Sequence, residues 1–362
     1  MKMHKFLVLG LALLLIICFL IGCGQETEQH KKEQKQGAKA KKIKVGLVYD
    51  IDSYRDISLN DSAYIGLKRA EKELGVEITD LEPSGGGEDI DQILRILAED
   101  GYDMIFGVGC IFADHIQKAA EDFPYVKFGL VDGIIEDIDS NSNISCLLFK
   151  EYEGSFLAGA AAALKSENKK VGFIGGMKSP LIEKIEYGYL AGAKYINPKI
   201  EVYSDYIGTT EGAFKDPVKA KELALKQIEA GADVLYHASG ASGVGMIETA
   251  TENRIFSIGM GSDQSISAID EQKRYILTSV LKHVDISVYD TIRAFTEGRF
   301  EGGYRVFGLA DDGVGYAVNE FNEYLIADIQ PPLDELRHKI INGEIKVPSN
   351  KAEYDEFLKT LK

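Results

Sequence analysis

From Lys42 onward the apolar positions of the chain switch regularly between two spacings. "KIKVGLVYD" is a short β-branched run, and the following "SLNDSAYIGLKRAEKELG" carries apolar residues at helical spacing and stops at Gly75. "VEITDLE", "YDMIFGVG" and "VKFGLVD" read as further strands, separated by helices over "DIDQILRILAEDG" and "FADHIQKAAEDFP", the second closed by Pro124. Short apolar strands alternating with helices of about 10 to 15 residues predict βαβ units and parallel sheets covered on both faces. After the helix "EYEGSFLAGAAAALKSE" the same pattern restarts. "KKVGFIGG", "IEVYSDYIG", "ADVLYHAS" and "RIFSIGMG" are strands, with helices over "PLIEKIEYGYLAGAKYIN", "DPVKAKELALKQIEAG" and "GVGMIETATE" between them. Two α/β halves predict two lobes. The strand "RYILTSV" and the helix "HVDISVYDTIRAFTEG" come late and read as a return to the first half.

The start of the chain has a different pattern. Lys2 and Lys5 precede an unbroken apolar run from Phe6 to Ile21, which reads as an export signal, residues 1–22. Leu20-Ile21-Gly22-Cys23 resembles the bacterial lipoprotein box, so Cys23 is the expected lipidation site and the membrane the expected partner through it. A lipid chain contributes about 0.8 kcal/mol per buried CH₂. Residues 23–42 are polar and without apolar periodicity, which predicts a tether that cannot bury enough surface to fold. Seven lysines fall between Lys31 and Lys44, against three glutamates in residues 25–44.

The whole chain carries a net charge of −16, and loss of Lys2 and Lys5 with the signal makes the exported part more acidic still. That balance argues against nucleic acid, whose binding is driven by phosphate neutralisation. Beyond Cys18 and Cys23, only Cys110 and Cys146 remain, both in apolar strand-like surroundings. They are expected as buried free thiols, not as a disulfide framework.

Catalysis has little to stand on in this sequence. "GVGCIF" and "GVGMIE" lack the third glycine of a dinucleotide loop, and no Walker loop occurs. "GASGV" is not a nucleophile elbow, because Val244 stands two residues beyond Ser242. The six histidines show no metal-ligand spacing, and neither a cofactor nor a metal is expected. Polar loops after strands are the candidate site instead: Asp50 to Asn60, Gly107 to Cys110, Ser239 to Gly245, and "SIGMGSDQS" at 257–265. In open α/β sheets, ligands sit beyond the C-terminal ends of strands.

Four long blocks in order carry a family resemblance: "KFGLVDGIIEDIDSNSNISCLLFKEYEGSFLAGAAAAL", "VGFIGGMKSPLIEKIEYGYLAGAKYINP", "FKDPVKAKELALKQIEAGADVLYHASGASGVG" and "ILTSVLKHVDISVYD". Over about residues 43 to 345 the chain resembles the basic membrane protein family, the purine-nucleoside-receptor-like lipoproteins that serve ABC importers. The resemblance implies a type I periplasmic-binding-protein fold, α/β, with two doubly wound parallel-sheet lobes. Three crossings would join them, near Glu151, Val280 and Phe307. The first lobe would hold residues 43–150 plus 281–306, the second 151–280 plus 307–345, and 346–362 would be a C-terminal tail.

Carried onto matching positions, the resemblance also implies ligand contacts. In "DISLND", Asn60 matches the asparagine that bonds the base, with Asp61 beside it. Asp132 matches an acid facing base or sugar, and Phe214 in "AFKDP" an aromatic that stacks on the purine. Gly240 and Ser242 match backbone approaching the sugar, and Lys282 a lysine directed at ribose hydroxyls. Two positions depart from the pattern. Leu59 replaces the phenylalanine that completes the aromatic sandwich, a loss of about 0.5–1.5 kcal/mol of stacking, with Tyr49 and Tyr54 as the nearest substitutes. Gly261 replaces an aspartate that accepts from ribose hydroxyls, leaving Ser262 or a water to do so. Asp263 and Gln264 match the family and also suit a helix cap and first turn.

The implied function is a membrane-anchored solute receptor that closes on a small-molecule ligand and hands it to an ABC permease. A purine nucleoside is the first ligand, and riboflavin or another flat heterocycle the second. A sensory or regulatory lipoprotein without transport is the competing class.

Overall fold

The computed structural model describes residues 41–50 and 59–361. The export signal, Cys23, the tether as far as residue 40 and the loop holding Tyr54 lie outside the described residues. No described helix is long and apolar enough to cross a membrane.

The first half runs β1 (Lys44–Val48), α1 (Leu59–Leu74), β2 (Glu77–Leu81), α2 (Ile90–Glu99), β3 (Met104–Val108), α3 (Ala113–Asp122), β4 (Lys127–Val131) and β5 (Ile144–Phe149). The second runs α4 (Glu151–Lys165), β6 (Lys170–Met177), α5 (Pro180–Ile196), β7 (Glu201–Gly208), α6 (Pro217–Glu229), β8 (Val234–Ala238), α7 (Gly243–Glu252) and β9 (Phe256–Gly261). Two single turns, α8 (Gln264–Ser267) and α9 (Asp270–Lys273), lead to β10 (Ile276–Lys282). Then follow α10 (Val284–Thr296), β11 (Gly303–Phe307), β12 (Val314–Tyr316), α11 (Glu323–Ile326), α12 (Gln330–Ile341) and α13 (Lys351–Thr360).

Among the described residues the strands form two six-stranded sheets, ordered β11-β5-β4-β3-β1-β2 and β12-β10-β9-β8-β6-β7. All pairings are parallel except β10 with β12. Both sheets are wound alike: the first strand of each half has the second on one side and the third on the other. Central strands such as β3 and β8 are buried along their whole length, whereas the edge strands β2 and β7 are partly exposed. Helices covering both faces of a parallel sheet require those apolar runs.

The chain crosses between lobes three times, and the crossings are bonded side by side. Lys150 N donates to Phe307 O at 2.9 Å, and His283 N donates to Gly313 O at 2.9 Å. Leu309 N donates to Glu153 Oε2 at 2.9 Å, and the Phe149 and Phe307 rings lie 5.8 Å apart. The late return expected from the sequence is present for the helix but not for the strand: "RYILTSV" becomes β10, which pairs with β9 and β12 in the second sheet because the chain crosses back only after Lys282. α10 packs on α1, where Asp285 N donates to Ser62 Oγ and Tyr289 donates to Glu73, and β11 pairs with β5. Within 346–362, α13 lays Tyr354 on Tyr187, and Phe357 on Phe156 and Tyr195.

The helix pair α4 and α5 is in backbone contact. A Cβ at Gly159 would overlap Tyr189 O, one at Gly188 would overlap Tyr152 O, and one at Gly192 would overlap Phe156 O. Backbone atoms cannot turn aside as a side-chain end can. Gly192→Ala is therefore expected to destabilise the fold by about 2 kcal/mol net, an overpacking cost near 3 kcal/mol offset by about 1 kcal/mol of helix propensity. Urea melts of wild type, Gly159→Ala, Gly192→Ala and the double variant measure it. The double variant should lose less than the sum, because helices already pushed apart admit the second methyl.

Candidate functional site

Parallel strands put their C-terminal ends on one edge of each sheet, and doubly wound sheets open a crevice where the winding reverses. In the first sheet that edge carries Asp50 after β1, Gly109 and Cys110 after β3, Asp132 after β4, and Phe149 closing β5 with Lys150 and Glu151 after it. In the second it carries Gly176 in β6, Ser239 to Ser242 after β8, Gly261 closing β9 with Ser262 to Ser265 after it, and Lys282 closing β10. Register holds the second row together: Gly175 pairs with Ala238, and Leu281 with Gly261.

The two rows meet at Lys282. Its Nζ donates to Asp132 Oδ1 at 2.7 Å, reaching the first lobe, and pairs with Glu151 Oε1 at 2.8 Å at the first crossing. It also lies 4.8 Å from the centre of the Phe149 ring. The lysine side chain is 10 % exposed, Glu151 4 % and Asp132 20 %. Burial opposes the charge on Lys282, but the Asp132 and Glu151 carboxylates and their hydrogen bonds outweigh it and raise its pKa above the ordinary lysine value. Asp132 sits at φ +62, a left-handed conformation that non-glycine residues seldom adopt. Glu151 was not foreseen from the sequence. The signal for it was there: an acid opening an apolar helix directly after a buried strand.

The other expected contacts lie in the same two rows but differ in what they have free. The Asn60 side chain is buried and bonds the Asp50 backbone twice, its Oδ1 accepting from Asp50 N and its Nδ2 donating to Asp50 O, each at 3.1 Å. Asp61, one residue on, is exposed. Leu59 packs against the core, and the Tyr49 hydroxyl donates to Asp80 Oδ2 at 2.9 Å. Phe214 is half-buried, its ring over Gly176 and its Cβ against Gly240, which has φ +55. These glycines leave room for the ring at the winding reversal of the second sheet. The Ser242 hydroxyl is fully buried, accepting from Asp216 N at 2.7 Å and donating to Ala213 O at 2.8 Å, so it fixes the Phe214 segment from beneath.

Cys110 corrects an expectation, for it is exposed, while Cys146 is buried. β3 ends at Val108, and Gly109 at φ +98 turns the chain out of the sheet before the thiol. Partial loss of water around the exposed thiol raises the Cys110 pKa, followed by the charges of Asp50 and Asp132 and, more weakly, of Glu211 from the second lobe.

The loop 261–265 is held from below. Asp263 caps α8 by accepting from Ser265 N at 3.1 Å, and it also accepts from Asn319. Gln264 Oε1 meets His237 Nε2 at 2.9 Å, while His237 Nδ1 meets Ser239 Oγ at 3.2 Å. Since Gln264 Oε1 can only accept, Nε2 carries the hydrogen, and burial, which pulls the His237 pKa down to about 4, disfavours a second one on Nδ1. Above this support Ser262 is partly exposed, and Gly261 stands at φ +94 with no described residue within 4 Å of where a Cβ would be. The backbone there is suited to glycine. Among the described residues no group of three His, Cys, Asp or Glu side chains is placed to hold a metal.

Two doubly wound lobes, strand ends facing across a cleft and three bonded crossings define a solute-binding protein of the periplasmic type. The chain belongs to the Bmp family, described as ABC transporter substrate-binding protein PnrA-like, whose model matches residues 42–351. It is 33% identical to basic membrane protein A of Borreliella burgdorferi, over 87% of this chain and 91% of that protein. It is 31% identical to an uncharacterised lipoprotein of Pyrococcus abyssi, over 98% of this chain and 94% of that one. Among solved structures, an ABC transporter system solute-binding protein from Aeropyrum pernix K1 superposes with a TM-score of 0.69 at 28% identity, covering 88% of this chain and 97% of that one. The protein is thus a substrate-binding component of an ABC transporter. It works on a small-molecule ligand with a permease partner, and binds rather than transforms.

Proposed function

We propose that the chain is lipid-anchored through Cys23 on the extracytoplasmic face of the membrane and that its ligand is a purine nucleoside or a similarly flat, hydroxyl-bearing heterocycle. The observation that carries the ligand reading is the Lys282–Asp132 pair, which spans the lobes at 2.7 Å where strand ends converge. A hydroxyl bound there accepts from the ammonium, and its neighbour donates to the carboxylate. The half-buried Phe214 ring offers a stacking face, worth about 0.5–1.5 kcal/mol beyond area burial. Gly261, with no described residue near the place of a Cβ, leaves the ligand room where the family pattern has an aspartate. Lobe closure is biased by contacts that form only when both lobes touch the ligand.

Calorimetric titration of residues 24–362 with guanosine, inosine, adenosine and riboflavin tests this. Micromolar or tighter binding of a purine nucleoside is the expected result. Heat with riboflavin alone would move the ligand to the second class. No heat with any of them, in folded and ligand-free protein, would remove the purine and leave the importer family standing. In cells, Cys23→Ala should shift the protein from the membrane fraction to the medium, and retention of the variant in the membrane would sink the lipid anchor.

A further inference from the structure

An ammonium has three N–H donors. Lys282 gives one to Asp132 at 2.7 Å and lies 2.8 Å from Glu151, and among the described residues these are the two charged groups acting on it. One positive and two negative charges leave the cluster at a net −1. The acids are not equivalent. Glu151, at 4 % exposure, is enclosed by the protein at the start of α4, whereas Asp132 is 20 % exposed, and its Oδ2 accepts no hydrogen bond among the described residues. Asp132 Oδ2 and the third ammonium hydrogen are what remain for a ligand, one acceptor beside one donor. A pair of neighbouring hydroxyls satisfies both. A phosphate or carboxylate satisfies only the donor, and brings a negative charge against two carboxylates in a buried place that salt screens little.

We propose that Glu151 sets the charge selectivity of the cleft. Together with Asp132 it over-neutralises Lys282, so that a lysine which alone would attract anions admits only uncharged, hydroxyl-bearing ligands. Glu151 touches Lys282 and not the ligand, and is a positioning residue. The inference rests on reading this cleft as the solute site and is independent of the purine.

The exported chain and its Glu151→Gln variant, titrated with guanosine and guanosine 5′-monophosphate, test it. Wild type should favour the nucleoside by about a hundredfold or more, and the variant should narrow that gap at least about tenfold, chiefly by gaining monophosphate. Equal gaps in the two proteins overturn the proposal. Glu151→Asp keeps the charge and should keep the selectivity, and loss of selectivity as complete as in Glu151→Gln would mean that shape, not charge, decides. If neither protein binds any nucleoside, the purine reading has failed by itself, and riboflavin against riboflavin 5′-phosphate makes the same comparison. A ligand-free readout stands beside these: the Lys282 side-chain nitrogen, followed by NMR, should titrate at lower pH in Glu151→Gln than in wild type. An unchanged titration overturns the proposal whatever binds.

Discussion

Lys282→Met is expected to destabilise the folded chain by about 3–5 kcal/mol at neutral pH, the cost of removing one partner from a buried ion pair. Methionine fills much of the same volume, so the loss is electrostatic. Glu151 and Asp132 would be left facing each other with no cation between them, and Glu151 has almost no water to turn to. In wild type the pKa of Lys282 is raised by these two acids, so its stabilisation is complete below the ordinary lysine pKa and lost only in strong alkali. The variant should behave in the opposite sense. Its orphaned carboxylates take up a proton more readily when folded than when unfolded, so the gap to wild type narrows as pH falls towards about 5. Denaturant melts at pH 7 and 5 measure both effects. Lys282→Met with Glu151→Gln should recover part of the loss, since removing both partners leaves less charge unpaired. A single variant within about 1 kcal/mol of wild type would show that the acids find other partners.

The second large effect is a loss of stability in mild acid that belongs to His237. Burial pulls its pKa down to about 4, with the bond to Gln264 acting weakly the other way. In the unfolded chain the imidazole takes its proton near pH 6.5. Between those values the unfolded state binds a proton that the folded state refuses. Stability present above pH 6.5 is therefore lost as pH falls through the window, by at most about 3 kcal/mol. Below about 4 both states are protonated and the slope ends. The check is a comparison of wild type with His237→Gln by urea melts from pH 7.5 to 4.5. The wild type should lose more, and the His237 ring proton should show no NMR titration near 6.5. A ring that titrates there would mean that the network under the 261–265 loop is open to water.

Both effects depend on a side chain, Glu151 in the first and His237 in the second, that the sequence presents without marking. The α/β alternation was plain, since apolar runs of 4–8 residues bounded by glycines leave few other readings, and α7 begins and ends where "GVGMIETATE" predicted. β11 and β12 were not legible. "GYRVF" is a partly exposed edge strand with an arginine in it, and β12 is only "VGY". α13 was hidden by its charged outer face, its packing resting chiefly on Tyr354 and Phe357. For the candidate site, Phe214, Asp132 and Lys282 are indicated by resemblance alone, because neither spacing nor composition separates them from surface residues. His237 is one of six histidines without ligand spacing, and Glu151 is one acid among many in an acidic chain. What distinguishes each is a partner far along the chain, and only the folded topology brings that partner near.

Because β11 enters the first sheet after the whole run from α4 to α10, residues 44–149 cannot complete their sheet alone. The closing ladder joins Tyr304 to Cys146 and Phe307 to Phe149, pairings far apart in sequence that make folding slow. Until it forms, β5 is the margin of the first lobe, and "ISCLLF" is an apolar strand with unpaired N–H and C=O groups along one side. Such a margin is a template for another chain. A polypeptide interrupted anywhere between residues 150 and 303 would therefore carry a seed for aggregation, and the short strand "GYRVF", unremarkable in itself, is what caps it.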